Sequence, residues 1–503
     1  MPNSGKYNQS DTHSAKAPIE ANWEQGTINP KKSLSGIIFY ISPILLVFAT
    51  LCFAGGVLVM GLLSIPVSEN LVNIAKAGII TSSFITLFYF LIYTGRHIIF
   101  SAVALNSYRR TLVENNLEHG SNYPKVSVLI AARNEGMVIE GAVRTIAEQD
   151  YPNFEILVID DGSTDETPTI LKRLAKEVPK MKFVRRENGG FGKPDALNFG
   201  LKHASGDIIL TFDADYVPMG KDVLKRLVRW FEDPECWAVQ GFLVPYNTGN
   251  GSTIAKSVFC ERVGGYMVDQ LARQRLGLLP QYGGTVGGFR KEVIRKLGWN
   301  VKALTEDTDL TVRVAVNGGK VVYDVSARSW EQAVQNLRSY WRQRYRWARG
   351  HMQCALRYFL DVVRSKTMGM GQKVDTILML GIYFVGVMMA LGWLLSFAWW
   401  AYGLSWSSVF STLYFPILAF WTFGALGNTA PFHEIVVGLK LYGNGVMRMS
   451  KYVLFLAPLF LVNTIICCEA LLHELTGFRS KWEKTERYVG VLHNNGASNS
   501  HGQ

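Results

Sequence analysis

Carboxylates gather at three points along this chain, Asp160-Asp161, Asp213-Ala214-Asp215 and Glu306-Asp307, and a cationic, aromatic segment follows them, Gln343-Arg344-Tyr345-Arg346-Trp347. Each group alone is common in unrelated chains. Together, in this order, they supply what displacement at the anomeric carbon of a nucleotide sugar needs. Asp160 and Asp161 close an apolar run in a Gly-Ser turn, where a carboxylate can accept from a uracil N–H or a ribose hydroxyl; as a bare local motif they equally cap the helix that follows. Asp213 and Asp215 fall on one side of an extended segment, a donor pair suited to Mg²⁺ or Mn²⁺ bridged to a diphosphate. Lys193, behind a glycine-rich loop, is suited to a phosphate. A carboxylate among Glu306, Asp307 and Asp309, at a helix start, is suited to general-base work or to capping. Arg346 can stabilise a departing diphosphate, and Trp347 can stack on a sugar ring.

The elements that position these groups follow from pattern. Val126–Ala131, Phe154–Ile159 and Asp207–Phe212 are short apolar, β-branched runs, and helical spacing follows at Val138–Gln149 and from Thr167-Pro168. Strand–helix alternation predicts an α/β domain with a mostly parallel sheet, in which ligands bind beyond the carboxyl ends of the strands. Two of the acidic clusters sit at such ends. A helix over Gln332–Val363 carries the cationic segment; its stripe of Leu337, Tyr340, Trp341, Tyr345, Ala348 and Met352 predicts an amphipathic helix lying on a membrane.

Five apolar stretches, Ile37–Leu63, Gly78–Thr94, Thr376–Tyr402, Val409–Gly427 and Val453–Leu472, are about long enough for a hydrocarbon core of ~30 Å. The first has a polar leader and no small-residue cleavage site, so it reads as an anchor and not as a removed signal. Lys31 and Lys32 before it, and Arg96, His97, Arg109 and Arg110 after the second, predict a cytosolic central domain on a multi-pass plasma-membrane protein. Arg479, Lys481, Lys484 and Arg487 argue for a cytosolic tail, which requires either a further crossing near Pro431–Met449 or one re-entrant stretch. The resulting division is 1–33 a disordered tail, 34–100 a membrane hairpin, 101–330 the catalytic domain, 331–366 the interfacial helix, 367–475 the second membrane region and 476–503 a polar tail. The net charge of +12 then faces membrane lipid and diphosphate, since no nucleic-acid-binding module accompanies it. Six cysteines without metal spacing read as reduced thiols.

Taken together, Asp160-Asp161-Gly162-Ser163, Asp213-Ala214-Asp215, Gly283-Gly284-Thr285 with Gly287-Gly288-Phe289-Arg290, Thr305-Glu306-Asp307 and Gln343-Arg344-Tyr345-Arg346-Trp347 resemble the membrane-embedded, processive family 2 glycosyltransferases, the synthases of cellulose, chitin, hyaluronan and poly-N-acetylglucosamine. The resemblance spans about Pro124–Gly350. It implies a GT-A-like nucleotide-sugar domain with Asp161 on uracil, Asp215 on the metal and Asp307 as base. It further implies Gln343, Arg344, Arg346 and Trp347 about the diphosphate and acceptor, and Gly283–Gly288, with Gly284 and Thr285, facing the acceptor. The implied activity is inverting, processive synthesis of a β-linked polysaccharide from UDP-glucose or UDP-N-acetylglucosamine, coupled to export, with accessory export or modification subunits as partners. Single transfer to a lipid and a hyaluronan-type synthase using two UDP-sugars are the alternatives, with a catalytically silent scaffold behind them. One departure is Ala132-Arg133-Asn134-Glu135, where the family more often has an aromatic residue before Asn-Glu.

Overall fold

The computed structural model describes residues 30–115, 123–245, 251–401, 429–443 and 445–478. The expected tails, apart from residues 30–33 and 476–478, and the Val409–Gly427 stretch lie outside them.

The central domain is built on one eight-stranded sheet in the order β3-β2-β1-β4-β7-β6-β8-β5. Its strands are β1 (Val126–Ala132), β2 (Phe154–Asp160), β3 (Met181–Arg185), β4 (Ile208–Thr211), β5 (Val217–Pro218), β6 (Cys236–Pro245), β7 (Gly287–Arg290) and β8 (Lys320–Glu331). The first four pair in parallel, and β6 pairs in parallel with β8, whereas β7 runs antiparallel to both β4 and β6 and β5 antiparallel to β8. The sheet is therefore mixed. The alternation of strands and helices ends after β4, so sequence pattern alone had no signal for the reversed β7.

Crossovers place α3 (Ile139–Ala147), α4 (Thr167–Glu177) and α5 (Lys193–Leu201) around the parallel half, and β1 and β2 are buried almost throughout, as two-sided burial requires. Thr167 does not cap α4. Its hydroxyl accepts from the Glu135 N–H at 2.9 Å, while Asp165 accepts from the Thr167 N–H at 2.9 Å. The remaining helices of the domain are α6 (Val223–Val228), α7 (Thr253–Gly264), α8 (Leu271–Arg275), α9 (Lys291–Leu297) and α10 (Glu306–Val316), with a π-helical turn over Gly265–Gln270 joining α7 to α8.

Two long helices precede this domain: α1 (Pro30–Leu62) and α2 (Glu69–Glu114). α2 has 46 residues, and at about 1.5 Å per residue it runs roughly twice the ~30 Å of a hydrocarbon core. The 100/101 boundary thus falls inside a continuous helix. Its far end docks on the sheet domain, where the Asn115 amide donates to Asp324 at 2.8 Å.

The helix carrying the cationic segment, α11 (Leu337–Arg364), begins at Leu337 instead of Gln332, because β8 runs to Glu331 and Asn336 caps the helix through the Ser339 N–H at 2.8 Å. It does not lie open on a surface. It packs against α1, α10 and the last helix, and its buried residues include Arg344 and Arg349 as well as Tyr340, Ala348 and Met352.

The stretch read as Thr376–Tyr402 is two helices, α12 (Met370–Leu380) and α13 (Ile382–Ala401), bent by 57° at Gly381. The described part of α14 (Thr429–Tyr442) has 14 residues, about 21 Å. α15 (Val446–Leu475) follows. Among the described residues three helices, within Ile41–Gly61, Glu69–Glu114 and Val446–Leu475, are long and apolar enough to cross a membrane, and the bent pair makes a fourth if it counts as one.

Candidate active site

The carboxyl ends of β1, β2 and β4 face the start of α10 and the first turns of α11. A cavity of about 630 Å³ opens between them. Its wall includes Asp161, Lys193, Asp213, Asp215, Gly284, Glu306 and Asp307 from the sheet domain, and Gln343, Arg344, Arg346 and Trp347 from α11. The sequence-distant clusters thus meet in one space. Asp160 and Thr285 do not reach its wall.

Asp160 is fully buried beneath the turn it begins: its carboxylate accepts from the Ser163 N–H at 3.0 Å and pairs with Arg185 at 2.5 Å. That arrangement shapes the Gly162 turn, where φ is +72° and only glycine sits easily. Asp161 faces the cavity, 2% exposed, with one carboxylate oxygen held by Arg186 and the other, Oδ2, buried and without a hydrogen-bond donor among the described residues. An orphaned buried acceptor is costly unless a ligand supplies the donor. Arg186 also binds Asp195 at 2.8 Å, which accepts from the Phe191 N–H at 3.1 Å. These links tie the glycine-rich loop to Asp161, and nothing in the sequence pattern singled out Arg186.

Thr285 acts from below: its hydroxyl accepts from the Asp213 N–H at 2.9 Å and so fixes the acidic turn. Gly287 and Gly288 lie in β7 and not in an acceptor-facing loop. A Cβ on Gly288 would come within 2.2 Å of the Ile209 carbonyl oxygen, and one on Gly287 within 2.3 Å of that of Val239. Close strand approach is the reason for those glycines; the loop itself is Gly283–Val286, with φ of +84° at Gly284.

Lys193, at the first position of α5, points into the acids. Its ammonium is 2.5 Å from Asp213 and 3.8 Å from Glu306, and it donates to the Gly284 carbonyl at 3.0 Å. Burial alone would lower its pKa, but Asp213, Glu306 and Asp307 outweigh burial and raise it. Burial raises the pKa of both Glu306 and Asp307; Lys193 and Arg346 offset it only partly, together with the Thr308 N–H at Asp307, and the charge of Asp307 adds to the rise at Glu306. Asp309, the third acid of that turn, is saturated by Asn300 at 2.9 Å, Arg313 at 2.7 Å, Arg357 at 3.2 Å and Tyr358 at 2.6 Å. Its place is structural.

Of the α11 residues, Arg346 lines the cavity with Nη1 3.5 Å from the Leu304 carbonyl. Arg344 spends its fork on Glu261, with contacts at 2.8 and 2.6 Å, so it braces α11 against α7. Trp347 has the guanidinium carbons of Arg262 and Arg344 at 4.8 and 4.6 Å from its ring centroid, which hold the indole in place and occupy part of its π surface. Glu261, Arg262, Gln281 and His351 all line the cavity and were not flagged by any motif.

The cavity continues beyond Trp347 among the apolar helices, past Phe90 and His97 of α2, Tyr383 and Gly386 of α13, Glu434 of α14 and Asn463 of α15. His97 and Glu434 meet there at 2.7 Å.

Among the described residues no three His, Cys, Asp or Glu side chains cluster as a metal cage. The hard-oxygen pair Asp213 and Asp215 fits the other mode, in which a divalent ion takes one or two carboxylates and completes its shell from a diphosphate and water.

An α/β sheet with convergent carboxylates at its carboxyl edge and a cationic helix opposite defines a group-transfer enzyme of the GT-A-like kind. Residues 127–298 match the family described as Glycosyl transferase family 2. Over 387 residues, 74% of this chain and 89% of the relative, the sequence is 30% identical to the probable glycosyltransferase YdaM of Bacillus subtilis. The chain belongs to this family and is a glycosyltransferase. It is also 34% identical over 263 residues to the beta-monoglucosyldiacylglycerol synthase of Synechocystis sp., covering 50% of this chain and 53% of that protein. Similarity to the poly-beta-1,6-N-acetyl-D-glucosamine synthase of Staphylococcus aureus is 28% over 243 residues, 48% of this chain and 58% of that one. These last two matches thus span little more than half of either relative. In fold, the chain resembles a mannosyltransferase from Pyrobaculum calidifontis, solved with GDP-Man and Mn²⁺, at a TM-score of 0.50 and 22% identity over 78% of this chain and 99% of that one.

Proposed function

We propose that the protein transfers a hexose from a UDP-sugar, with inversion, to a hydroxyl presented from the membrane-facing arm of the cavity. The continuity of that one cavity, from Asp161 through Asp307 and Trp347 to Asn463, is the observation that carries this reading. The donor end is defined by Asp161, whose open Oδ2 suits an imide N–H such as that of uracil. Arg346 faces the diphosphate, and Gln343 and Trp347 face the acceptor. Asp307 takes the proton of the acceptor hydroxyl as its oxygen attacks the anomeric carbon; the bond to the nucleoside diphosphate breaks on the opposite face, so an α-linked donor gives a β-linked product. A Mg²⁺ or Mn²⁺ ion held by Asp215, with Asp213 released from Lys193, would supply charge neutralisation at the diphosphate. The proposed division of labour keeps residues 101–330 catalytic and the apolar helices as conduit and anchor, in a multi-pass plasma-membrane protein with the catalytic domain in the cytosol.

The acceptor we favour is the end of a growing neutral polysaccharide that is passed into the helical region. The walls contributed there by α13 and α15 carry aromatics, amides and hydroxyls, Tyr383, Asn463 and Thr464 among them, and no Asp, Glu, Lys, Arg or His among the described residues. The second reading is a single transfer to a membrane lipid, supported by the 34% identity to a glucosyldiacylglycerol synthase. Incubating the detergent-purified full chain with UDP-glucose, UDP-N-acetylglucosamine and UDP-glucuronate, singly and paired, separates them. A polymer degraded by a linkage-specific β-glycosidase supports the first, and one chloroform-soluble monoglycosyl product supports the second. No UDP release with any donor removes both.

A further inference from the structure

Three side chains with no part in the chemistry above converge behind the general base. Asp307 Oδ1 accepts from the Thr308 N–H at 2.8 Å, and the Thr308 hydroxyl oxygen lies 3.5 Å from the same oxygen. Oδ2 is the oxygen that faces the Gly283-Gly284 wall, where a Cβ on Gly284 would lie 3.5 Å from it. The two carboxylate oxygens are thus inequivalent. One is tied to the helix start and the other looks toward the cavity.

Thr308 is itself held. The Gln281 side-chain amide donates to its hydroxyl at 2.8 Å and lies 3.2 Å from His351 Nε2, while the Thr308 hydroxyl is 3.2 Å from that same nitrogen. His351 Nδ1 is 3.0 Å from the Trp347 carbonyl. A carbonyl can only accept, so Nδ1 carries the hydrogen, and a neutral ring then offers Nε2 as acceptor to the Gln281 amide, with the Thr308 hydroxyl oxygen beside it. Burial pushes the imidazole down to about 4, which keeps it neutral. Gln281 is fixed in turn through both of its backbone groups by Gln270 of the π-helical turn, at 2.9 and 2.6 Å.

Resting on Asp307 as the base, we propose that Gln281, Thr308 and neutral His351 form a positioning unit that locks Oδ1 and leaves Oδ2 as the proton-accepting oxygen. The donor count supports it. Gln281 has two amide hydrogens for two acceptors, Thr308 Oγ1 and His351 Nε2, and the Thr308 hydrogen is left for Asp307 Oδ1. The unit also joins the base, on α10, to the turn of α11 that carries Trp347. None of the three touches the reacting atoms.

The test uses the full chain in detergent with the UDP-sugar found to be its donor. His351→Leu and Gln281→Leu should lower kcat for sugar transfer about 10- to 100-fold, the scale of a misaligned catalytic group, with the KM for the UDP-sugar changed less than twofold. Loosening Thr308, whose N–H and hydroxyl favour the charged carboxylate, should also move the acidic limb of the kcat profile to higher pH, against the charges of Lys193, Arg346 and the neighbouring Glu306 around Asp307. His351→Gln, which restores an acceptor near the Nε2 position, should recover most of the rate. Unchanged kcat in both Leu variants, or equal losses in kcat and donor affinity that Gln does not repair, would overturn the positioning unit. Asp307→Asn, measured in parallel, separates the two ideas: an active Asn variant removes the base assignment itself, and the unit with it.

Discussion

At the scale of single residues, the site is organised by which carboxylates are satisfied and which are not. Asp160 and Asp309 have donors on both oxygens and hold structure; Asp161 keeps one buried oxygen open, and Asp307 presents one toward the cavity. Burial raises the Asp307 pKa, so the carboxyl binds its proton at higher pH than the ordinary aspartate value of about 3.9. A base must be ionised to act, so activity should be full above that raised pKa and fall as pH drops through it. A pH series of kcat should therefore show an acidic limb displaced upward, and Asp307→Asn should remove transfer while calorimetry still detects UDP binding. Wild-type turnover in that variant would exclude the residue. The distinction between the acids was only half legible in sequence. Position after a strand flagged Asp160 and Asp161 alike, but which of two adjacent carboxylates points inward depends on Arg185 and Arg186, and adjacent strand residues face opposite sides.

At the scale of elements, strands and helices of the parallel half were legible because their apolar runs are short, two-sided in burial and punctuated by turn residues. β7 was not. Its sequence, Gly-Gly-Phe-Arg, lacks the β-branched bulk of its neighbours, and its glycines were read as a ligand loop. They belong to backbone crowding between β4 and β6. Gly288→Ala should accordingly cost about 1–3 kcal/mol by forced displacement of a central strand and lower the thermal midpoint, with UDP affinity of the folded fraction preserved. If Gly288→Ala melts like wild type and instead weakens UDP-sugar binding, the glycine serves the ligand after all. α11 was misplaced at its start for a similar reason. The residues from Gln332 are compatible with a helix, and only the extension of β8 to Glu331 and the Asn336 cap exclude it.

At the scale of the molecule, the apolar helices and the sheet domain are joined by a buried lattice of charge. Arg96 of α2 pairs with Asp269 at 2.8 Å and Asp375 at 3.0 Å, and Arg273 pairs with the same two acids at 2.6 and 2.9 Å. Sequence reading took Arg96 as a flanking cation that reports membrane orientation. Its side chain is buried, and its two partners are more than 170 and 270 positions away, a pairing no local pattern reveals. Removing one partner from such a lattice leaves uncompensated buried charge and costs about 3–5 kcal/mol. Asp375→Asn should therefore lower the detergent-state thermal midpoint and loosen the π-helical turn that carries Asp269, read as faster amide exchange over Gly265–Gln270. An unaltered midpoint and exchange pattern would show that the lattice does not couple the two parts.

The contacts of Lys193 mean that the empty enzyme carries its own counter-ion. The ammonium sits against Asp213 and Glu306 and on the Gly284 carbonyl, where it is a placeholder for the charge that a donor complex brings. In the proposed metal-assisted transfer, a bare divalent ion would have to evict it and leave it stranded among buried groups, whereas an ion arriving with a diphosphate would hand the lysine a new anion. Cation and nucleotide should consequently load as one unit, each raising the other's affinity by the same factor. Mn²⁺ titrated by electron paramagnetic resonance should bind weakly alone and tightly with UDP, and Lys193→Met should strengthen the first without strengthening the second. Under the proposed metal-assisted transfer, the lysine would act as a lock on order of assembly, keeping the site electrically closed until substrate and ion come together.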